Sequence, residues 1–150
     1  VKNEHVYTKP VEEVYSLLGN TVYEDTGKEI KAEDIADNRY YASVTFEETG
    51  DFNILLGQDG DKSVSLVSEG GKVSLKMTGV KSEKVQFVSS VSECRNAEIF
   101  VDGRTIEVYL NDGEDAGTRL FYNSTGKGVF CLNSEKEAAV KICEMKSIWQ

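Results

Sequence analysis

From about residue 39 onwards, apolar and polar residues alternate with a period of two along most of the chain. Segments rich in Val, Ile, Tyr, Phe and Thr are separated by short clusters of Gly, Asp, Asn and Ser. Such alternation is typical of strands with one buried face, and the clusters are typical of turns. The pattern predicts strands over residues 39–48, 51–57, 62–68, 72–78, 84–91, 97–102, 105–111, 117–123, 127–133 and 138–147.

The predicted turns are short, and short turns join strands that are antiparallel neighbours. They are Glu48-Thr49-Gly50, Asp59-Gly60-Asp61, Glu69-Gly70-Gly71, Asp102-Gly103-Arg104 and Asn111-Asp112-Gly113. No strand–helix–strand pattern interrupts the series. The sequence therefore predicts an all-β fold, a two-sheet antiparallel β-sandwich of the jelly-roll or lectin-like kind.

A different pattern precedes the strands. Val11, Val14 and Leu18 repeat at helical spacing, Pro10 suits the first turn of a helix, and Gly19 suits its end. We predict a short helix with an apolar stripe, and we expect Val11, Val14 and Leu18 to pack against a neighbouring domain.

The chain is thus predicted to divide into residues 1–20, a linker segment with the helix, and residues 21–150, the sandwich. Its first residue is Val1 and its first methionine is Met77. We therefore expect the chain to have been processed or cut from a larger protein.

The charge and hydropathy of the chain argue against two classes of partner, nucleic acids and membranes. The chain has 150 residues and a formal net charge of −9, with no basic stripe. Such a surface repels phosphate backbones, so we expect no binding to nucleic acid. No apolar run approaches the roughly 18 residues of a membrane span, so we expect no membrane insertion.

The metal-binding patterns are incomplete. Cys94, Cys131 and Cys143 are odd in number and match no zinc spacing, which predicts free thiols in a reducing compartment. An EF-hand loop that begins at Asp59 fails at its sixth and twelfth positions, Val64 and Gly70. No metal or cofactor is predicted, although a calcium site built from loops far apart in sequence stays open.

Catalytic arrangements are equally sparse. His5 is the one histidine and lies away from any nucleophile motif. Glu98, Asp102 and Glu107 lie close together on one predicted hairpin, and glycosidases use paired carboxylates. Outward acids on a solvated strand are nevertheless ordinary, so we predict no catalytic residue in this chain.

The predicted hairpin carries a family resemblance. Residues 97–114 read AEIFVDGRTIEVYLNDGE and resemble the signature of the C-terminal domain of family 32 glycoside hydrolases, which include invertases, sucrose-6-phosphate hydrolases and levanases. Residues 118–122 resemble the next strand of that domain, residues 10–18 its linker helix, and residues 144–149 the C-terminus of bacterial members. The turn of this hairpin reads Gly103-Arg104-Thr105, whereas many relatives carry Arg-Ser-Ser there. The residues that carry the hairpin signature are Phe100, Asp102, Glu107, Tyr109, Asn111, Asp112 and Gly113.

The resemblance implies a parent enzyme with a five-bladed propeller as its N-terminal domain, and a retaining mechanism with an aspartate nucleophile and a glutamate acid/base. The family motifs that hold these groups and a stabiliser, Asn-Asp-Pro-Asn-Gly, Glu-Cys-Pro and Arg-Asp-Pro, all contain proline. The one proline here is Pro10, and Glu93-Cys94 is followed by Arg95. This chain alone is therefore expected to be inactive.

The resemblance thus predicts a structural domain of a bacterial β-fructofuranosidase that packs on the propeller, in the cytoplasm rather than secreted, with homo-oligomerisation left open. Two alternatives remain, a stand-alone hydrolase and a carbohydrate-binding module for fructans or other sugars. Binding of sugar rings would need exposed aromatic side chains. The candidates are Tyr40, Tyr41, Tyr109, Tyr122 and Trp149.

Overall fold

The computed structural model describes residues 18–79, 85–88, 93–103, 105–121 and 123–145. Ten strands account for nearly all of them: β1 (Leu18–Ala36), β2 (Arg39–Phe46), β3 (Phe52–Asp59), β4 (Lys62–Glu69), β5 (Lys72–Thr78), β6 (Val85–Val88), β7 (Asn96–Asp102), β8 (Thr105–Leu110), β9 (Asp115–Leu120) and β10 (Lys127–Met145). A single 3-10 turn, Asn111–Gly113, follows β8. Within the described residues, no helix has the length and hydropathy needed to cross a membrane.

Two long strands, β1 and β10, run through both sheets of a sandwich. They pair with each other over most of their length. On its other edge, β10 pairs with β3 through residues 131–134 and with β2 through residues 138–144. The first sheet has the order β1-β10-β3-β4-β5-β6, and the second has the order β1-β10-β2-β7-β8-β9. Every pairing is antiparallel, which confirms the predicted all-β sandwich.

The core lies between the two sheets and is filled by alternate residues of each strand, as the period-two pattern requires. Tyr40 crosses this core from the second sheet. Its hydroxyl lies 2.9 Å from the Val129 carbonyl oxygen and 3.2 Å from that of Leu56, to which it donates. Since both carbonyls belong to strands of the first sheet, this buried phenol links the two layers. The other large core residues that are fully buried are Phe130, Ile54, Leu56, Leu66, Leu75, Ile99, Ile106, Leu110, Leu132, Ile142 and Val44.

The turns follow the residues that tolerate left-handed backbone. Asp37 and Asn38 join β1 to β2 with φ values of 60° and 47°. Both central residues of a type I′ turn require positive φ, and Asn and Asp accept it more readily than other side chains. The turn at Asp37 and Asn38 was not predicted, whereas Gly60 and Gly103 take positive φ in two of the predicted turns.

The structure corrects three predictions. The alternation predicts no element over residues 21–38, but these residues belong largely to β1. Leu18 and Gly19 were predicted to close a helix, and they begin that strand instead. The predicted strands 127–133 and 138–147 form one continuous strand, β10, and β1 pairs with it on both sides of residues 134–137. The rest of the predicted helix, with Val11 and Val14, lies outside the described residues.

Candidate functional site

The β7–β8 hairpin places the signature residues on the outer face of the second sheet. Its inward residues, Ile99, Val101, Ile106, Val108 and Leu110, are buried in the core as the alternation predicts. The outward side chains are paired across the ladder. Phe100 lies opposite Glu107, Glu98 opposite Tyr109, and Asp102 opposite Thr105.

Aromatic rings join this outer face into a second apolar cluster, separate from the core. Phe100 lies 5.0 Å from Tyr41 and 5.8 Å from Tyr109, centroid to centroid. Such spacings are those of favourable aromatic pairs. We call this group the outer cluster, and it consists of the buried Tyr41, Phe100, Cys143 and Met145 with the partly buried Leu18 and Tyr109.

The two glutamates of the hairpin bind the phenols of the outer cluster. The Tyr41 hydroxyl donates to Glu98 Oε1 at 2.9 Å, and the Tyr109 hydroxyl donates to Glu107 Oε2 at 3.0 Å. Burial, followed by the charge and hydrogen bond of Glu107 and the charge of Glu98, raises the pKa of Tyr109 to about 12. The carboxylates therefore anchor aromatic rings on this face, and each has an aromatic ring directly across the ladder.

Asp102, the third acid of the hairpin, forms an ion pair. Arg39 Nε donates to Asp102 Oδ1 at 2.7 Å, and the two side chains are 26% and 11% exposed. Asp102 Oδ2 is buried and has no hydrogen-bond partner among the described residues. The pair lies at the last register position between β2 and β7, where it closes the ladder.

Asn111 clamps two loops together after β8. Its Oδ1 accepts hydrogen bonds from the backbone N–H groups of Arg95 at 2.7 Å and Asn96 at 3.3 Å. Its Nδ2 donates to the Glu93 carbonyl at 2.6 Å and to Glu114 Oε1 at 3.0 Å. All four hydrogen-bonding positions of the amide are thus used to fix loop backbone and a neighbouring acid.

The Asn-Asp-Gly run forms a tight left-handed turn. Asn111, Asp112 and Gly113 have φ values of 50°, 58° and 94°. Few residues accept this region, and Asn, Asp and Gly are the ones that do. The signature after β8 therefore has a conformational reason, and the hydrogen bonds of Asn111 give it a second one.

The described part of the chain offers little chemistry for metals or nucleophiles. No group of three or more His, Cys, Asp or Glu side chains there is placed to hold a metal ion. The three cysteines are free. Cys94 and Cys143 are buried, and burial raises the pKa of the Cys94 thiol to about 12. A thiol with so high a pKa stays protonated and is a poor nucleophile at neutral pH.

The residues considered for partner binding are distributed unevenly. Leu18 packs against the outer cluster of its own chain, while Val11 and Val14 lie outside the described residues. The aromatic candidates for sugar stacking are poorly placed, because Tyr40 and Tyr41 are buried. Tyr109 is partly buried, and Tyr122 and Trp149 lie outside the described residues.

No family model and no curated protein matches the sequence. Solved structures do match. A glycoside hydrolase family 32 protein from Bifidobacterium adolescentis superposes with a TM-score of 0.87 at 29% identity, covering 100% of this chain and 25% of that one.

Two more distant structures agree in fold. Sucrose-6-phosphate hydrolase from Lactobacillus gasseri has a TM-score of 0.67 at 18% identity, covering 99% of this chain and 32% of that one. Exo-inulinase from Aspergillus awamori has a TM-score of 0.74 at 17% identity, covering 95% of this chain and 33% of that one. The chain thus spans about a quarter to a third of the length of these proteins. The hairpin signature and these whole-length matches together confirm that this chain resembles the C-terminal β-sandwich domain of family 32 glycoside hydrolases.

Proposed function

We propose that this chain is a non-catalytic structural domain of a β-fructofuranosidase, and that it packs on a five-bladed propeller that carries the active site. The observation that carries the proposal is the match to the Bifidobacterium adolescentis structure, which takes in the whole of this chain and a quarter of that one. The parent enzyme would hydrolyse sucrose or sucrose 6-phosphate, as the sequence resemblance implies.

The hydrogen bonds of the hairpin support a structural role. A retaining glycosidase needs two carboxyl groups about 5–5.5 Å apart on either side of the scissile bond, with room for the sugar between them. Here Glu98 and Glu107 accept hydrogen bonds from tyrosines, and Asp102 is paired with Arg39. These acids stabilise the sheet, so cleavage of the sugar would fall to residues elsewhere in the parent.

Hydrogen bonds between separate parts of the sandwich support the same role. The Tyr40 hydroxyl links the two sheets, Asn111 clamps two loops, and Asn38 joins two turns. A domain that acts as a neighbour must hold its docking surface in a fixed shape, because ordering it on contact would cost binding free energy.

The cysteines support a cytoplasmic location for the parent, which we propose as well. All three are free thiols, and two of them are buried. Disulfides are rare in reducing compartments, where free thiols persist. Labelling of the parent in fractionated cells would test the location, and recovery in the culture medium would contradict it.

The coding sequence upstream of Val1 tests the proposed function directly. We expect it to encode a propeller with three motifs, Asn-Asp-Pro-Asn-Gly, Arg-Asp-Pro and Glu-Cys-Pro. An upstream sequence that encodes no such domain would contradict the proposal.

The alternative of a carbohydrate-binding module is weaker, because the described aromatic candidates are buried or hydrogen-bonded to acids. Calorimetric titration of the purified chain with sucrose and with a fructan separates the two functions. A structural domain gives only heats of dilution, whereas saturable heat would favour the binding module.

A further inference from the structure

Met77 and Arg119 meet between the two sheets, on the side of the sandwich away from β1. Met77 lies on β5 of the first sheet and pairs with Val64, which is fully buried in the core. Arg119 lies on β9 of the second sheet and pairs with the buried Ile106. Residues directly opposite one another in a ladder project from the same face, so both side chains point inward. Arg119 Nε donates a hydrogen bond to Met77 Sδ at 2.7 Å.

The thioether is an unusual partner for Arg119. An arginine presents five N–H donors, and its strong hydrogen bonds are those to carboxylates, whereas a thioether is a weak acceptor. The ion pairs among the described residues use Arg39 and Arg95 but not Arg119. Burial lowers the pKa of the Arg119 guanidinium, which means that water hydrates the cation incompletely. Within the described part of the chain, Arg119 thus lacks an acceptor that matches its charge.

The Met77 sulfur is the more accessible of the two methionine sulfurs. The Met77 side chain packs against the core but is only partly buried. Met145, the other methionine of the chain, is 7% exposed and packs within the outer cluster. The hydrogen bond from Arg119 uses one lone pair of the Met77 sulfur and leaves the second lone pair available. A small oxidant should therefore react at Met77 sooner than at Met145.

We infer that Met77 is a site of oxidation by hydrogen peroxide, and that Arg119 binds the resulting sulfoxide so that the contact between the two sheets survives the modification. The Met77 sulfur attacks one peroxide oxygen, the O–O bond breaks and an S–O bond forms. The attacked oxygen gives its proton to the departing oxygen, which leaves as water. The sulfur is oxidised by two electrons and the peroxide is reduced by two. The inference does not depend on the proposed function.

The sulfoxide suits Arg119 better than the thioether does. Its oxygen carries partial negative charge and accepts stronger hydrogen bonds than sulfur, and the planar guanidinium offers several N–H groups to it. Methionine sulfoxide ordinarily disrupts a core, because it introduces a polar group among apolar side chains. At Met77 the new polar group forms beside a cation, so the loss of hydration is offset by a charge-assisted hydrogen bond.

Peroxide treatment of the purified chain tests the inference. Peptide mass spectrometry should find one added oxygen on Met77 before any appears on Met145. The thermal unfolding midpoint of the chain oxidised at Met77 should be no lower than that of the untreated chain. In proton–nitrogen NMR spectra, the Arg119 Nε–H signal should shift on oxidation and exchange more slowly with water, because a stronger acceptor holds the proton.

Matched variants isolate the role of Arg119. Arg119→Leu removes the donor, so oxidation of Met77 should lower the midpoint by about 2–4 °C or more, as expected for a polar group without a partner. Arg119→Lys keeps the cation and should show a smaller loss. Arg95→Leu, the same change at an arginine that is 71% exposed, should respond to peroxide as the native chain does. Each variant is compared with its own untreated form, so its starting stability does not enter the comparison.

Three results would overturn the inference. Oxygen found on Met145 before Met77 would show that Met77 is not the favoured site. A midpoint that falls as far in the native chain as in Arg119→Leu would show that Arg119 does not bind the sulfoxide. An Arg119 Nε–H signal that is unchanged by oxidation of Met77 would lead to the same conclusion without any variant. The proposed function would stand after any of these results.

Discussion

Asn38 and Gly103 are joined by two hydrogen bonds. The Asn38 side-chain Nδ2 donates to the Gly103 carbonyl oxygen, while the Gly103 N–H donates to the Asn38 carbonyl oxygen at 3.0 Å. The β1–β2 turn is thereby tied to the β7–β8 turn. This contact continues the β2–β7 ladder beyond its last register pair, Arg39 and Asp102.

Substitution of Asn38 separates its two contributions. Both Asn38→Gly and Asn38→Ala remove the side-chain hydrogen bond, which is worth about 0.5–1.5 kcal/mol. Alanine adds the cost of a left-handed backbone for a residue that lacks the local hydrogen bonding of Asn, about 1–2 kcal/mol. We therefore expect urea unfolding to show a larger loss of stability for Asn38→Ala than for Asn38→Gly. Equal losses would show that the turn conformation contributes nothing.

The Arg39–Asp102 pair predicts an asymmetry. Arg39→Met leaves a carboxylate that is largely buried without its partner, and we expect it to lower the free energy of unfolding by about 2–3 kcal/mol, less than for a fully buried pair. Asp102→Asn leaves a neutral amide beside an arginine that is 26% exposed, so its cost should be smaller. The two variants are compared by chemical denaturation, and an equal or larger loss for Asp102→Asn would contradict the account.

Most of the sandwich follows from period-two alternation, but β1 does not. Its pairing with β10 has four irregularities, between Leu18 and Thr21, Thr21 and Tyr23, Gly27 and Glu29, and Ala32 and Ile35. Each irregularity shifts which residues face the core, so no regular alternation survives in the sequence. A charged edge strand of this kind resembles a loop when it is considered alone.

The division of β10 into two predicted strands has a related cause. Residues 134–137 read SEKE and carry no apolar side chain, which suggested a break. They lie where the pairing of β10 changes from β3 to β2, and Glu135, Lys136 and Glu137 are exposed there. The pairing of β1 with both halves keeps the strand continuous, and such a long-range contact leaves no local signal.

The sequence predicts which side chains of the candidate site face outward, but not which hydrogen bonds they make. Alternation along β7 and β8 puts Phe100 and Tyr109 on the face opposite the core residues Ile99 and Val108, and the structure has them there. The four hydrogen bonds of Asn111 depend on a loop about fifteen residues earlier, between Glu93 and Asn96. The sequence predicts a short turn at Asn111, but it gives no sign of the partners of the Asn111 side chain.

Ser124 lowers the pKa of Asp59, because its backbone N–H and its hydroxyl donate to Asp59 Oδ2 at 2.9 and 2.8 Å. Ser124→Ala keeps the first donor and removes the second, so the pKa should rise part of the way towards its ordinary value near 4. A lowered pKa stabilises the fold above the unfolded-state pKa, and this contribution is lost as pH falls through the folded-state pKa. Carboxyl titration by NMR measures the shift.

A matched change serves as the control for Asp59. Lys62 contributes less to the pKa of Asp59 than Ser124 does, so Lys62→Met should shift that pKa by a smaller amount than Ser124→Ala.

The stability difference between the native chain and Ser124→Ala should be complete above about pH 4 and should shrink below it. A difference that grows on acidification would contradict the assignment.

Tyr109 predicts the behaviour of the chain in alkali. Its pKa of about 12 is raised by burial first and by Glu107 next, so Glu107→Gln should lower it towards the ordinary value near 10. A raised pKa gives a stabilising contribution that is complete below the unfolded-state pKa and is lost as pH rises through the folded-state pKa. Stability should therefore fall between about pH 10 and about pH 12, and less steeply in Tyr109→Phe. Phenolate absorbance follows the titration, and an unshifted pKa in the native chain would refute the assignment.

The proposed function requires that this sandwich contain no fructosidase active site of its own. Assay of the purified chain for release of fructose from sucrose and from sucrose 6-phosphate tests it most directly, with a complete family 32 enzyme as the positive control. The account predicts no release above the buffer blank from either sugar. Turnover that follows the chain through every purification step, and that is lost in Glu107→Gln, would contradict it.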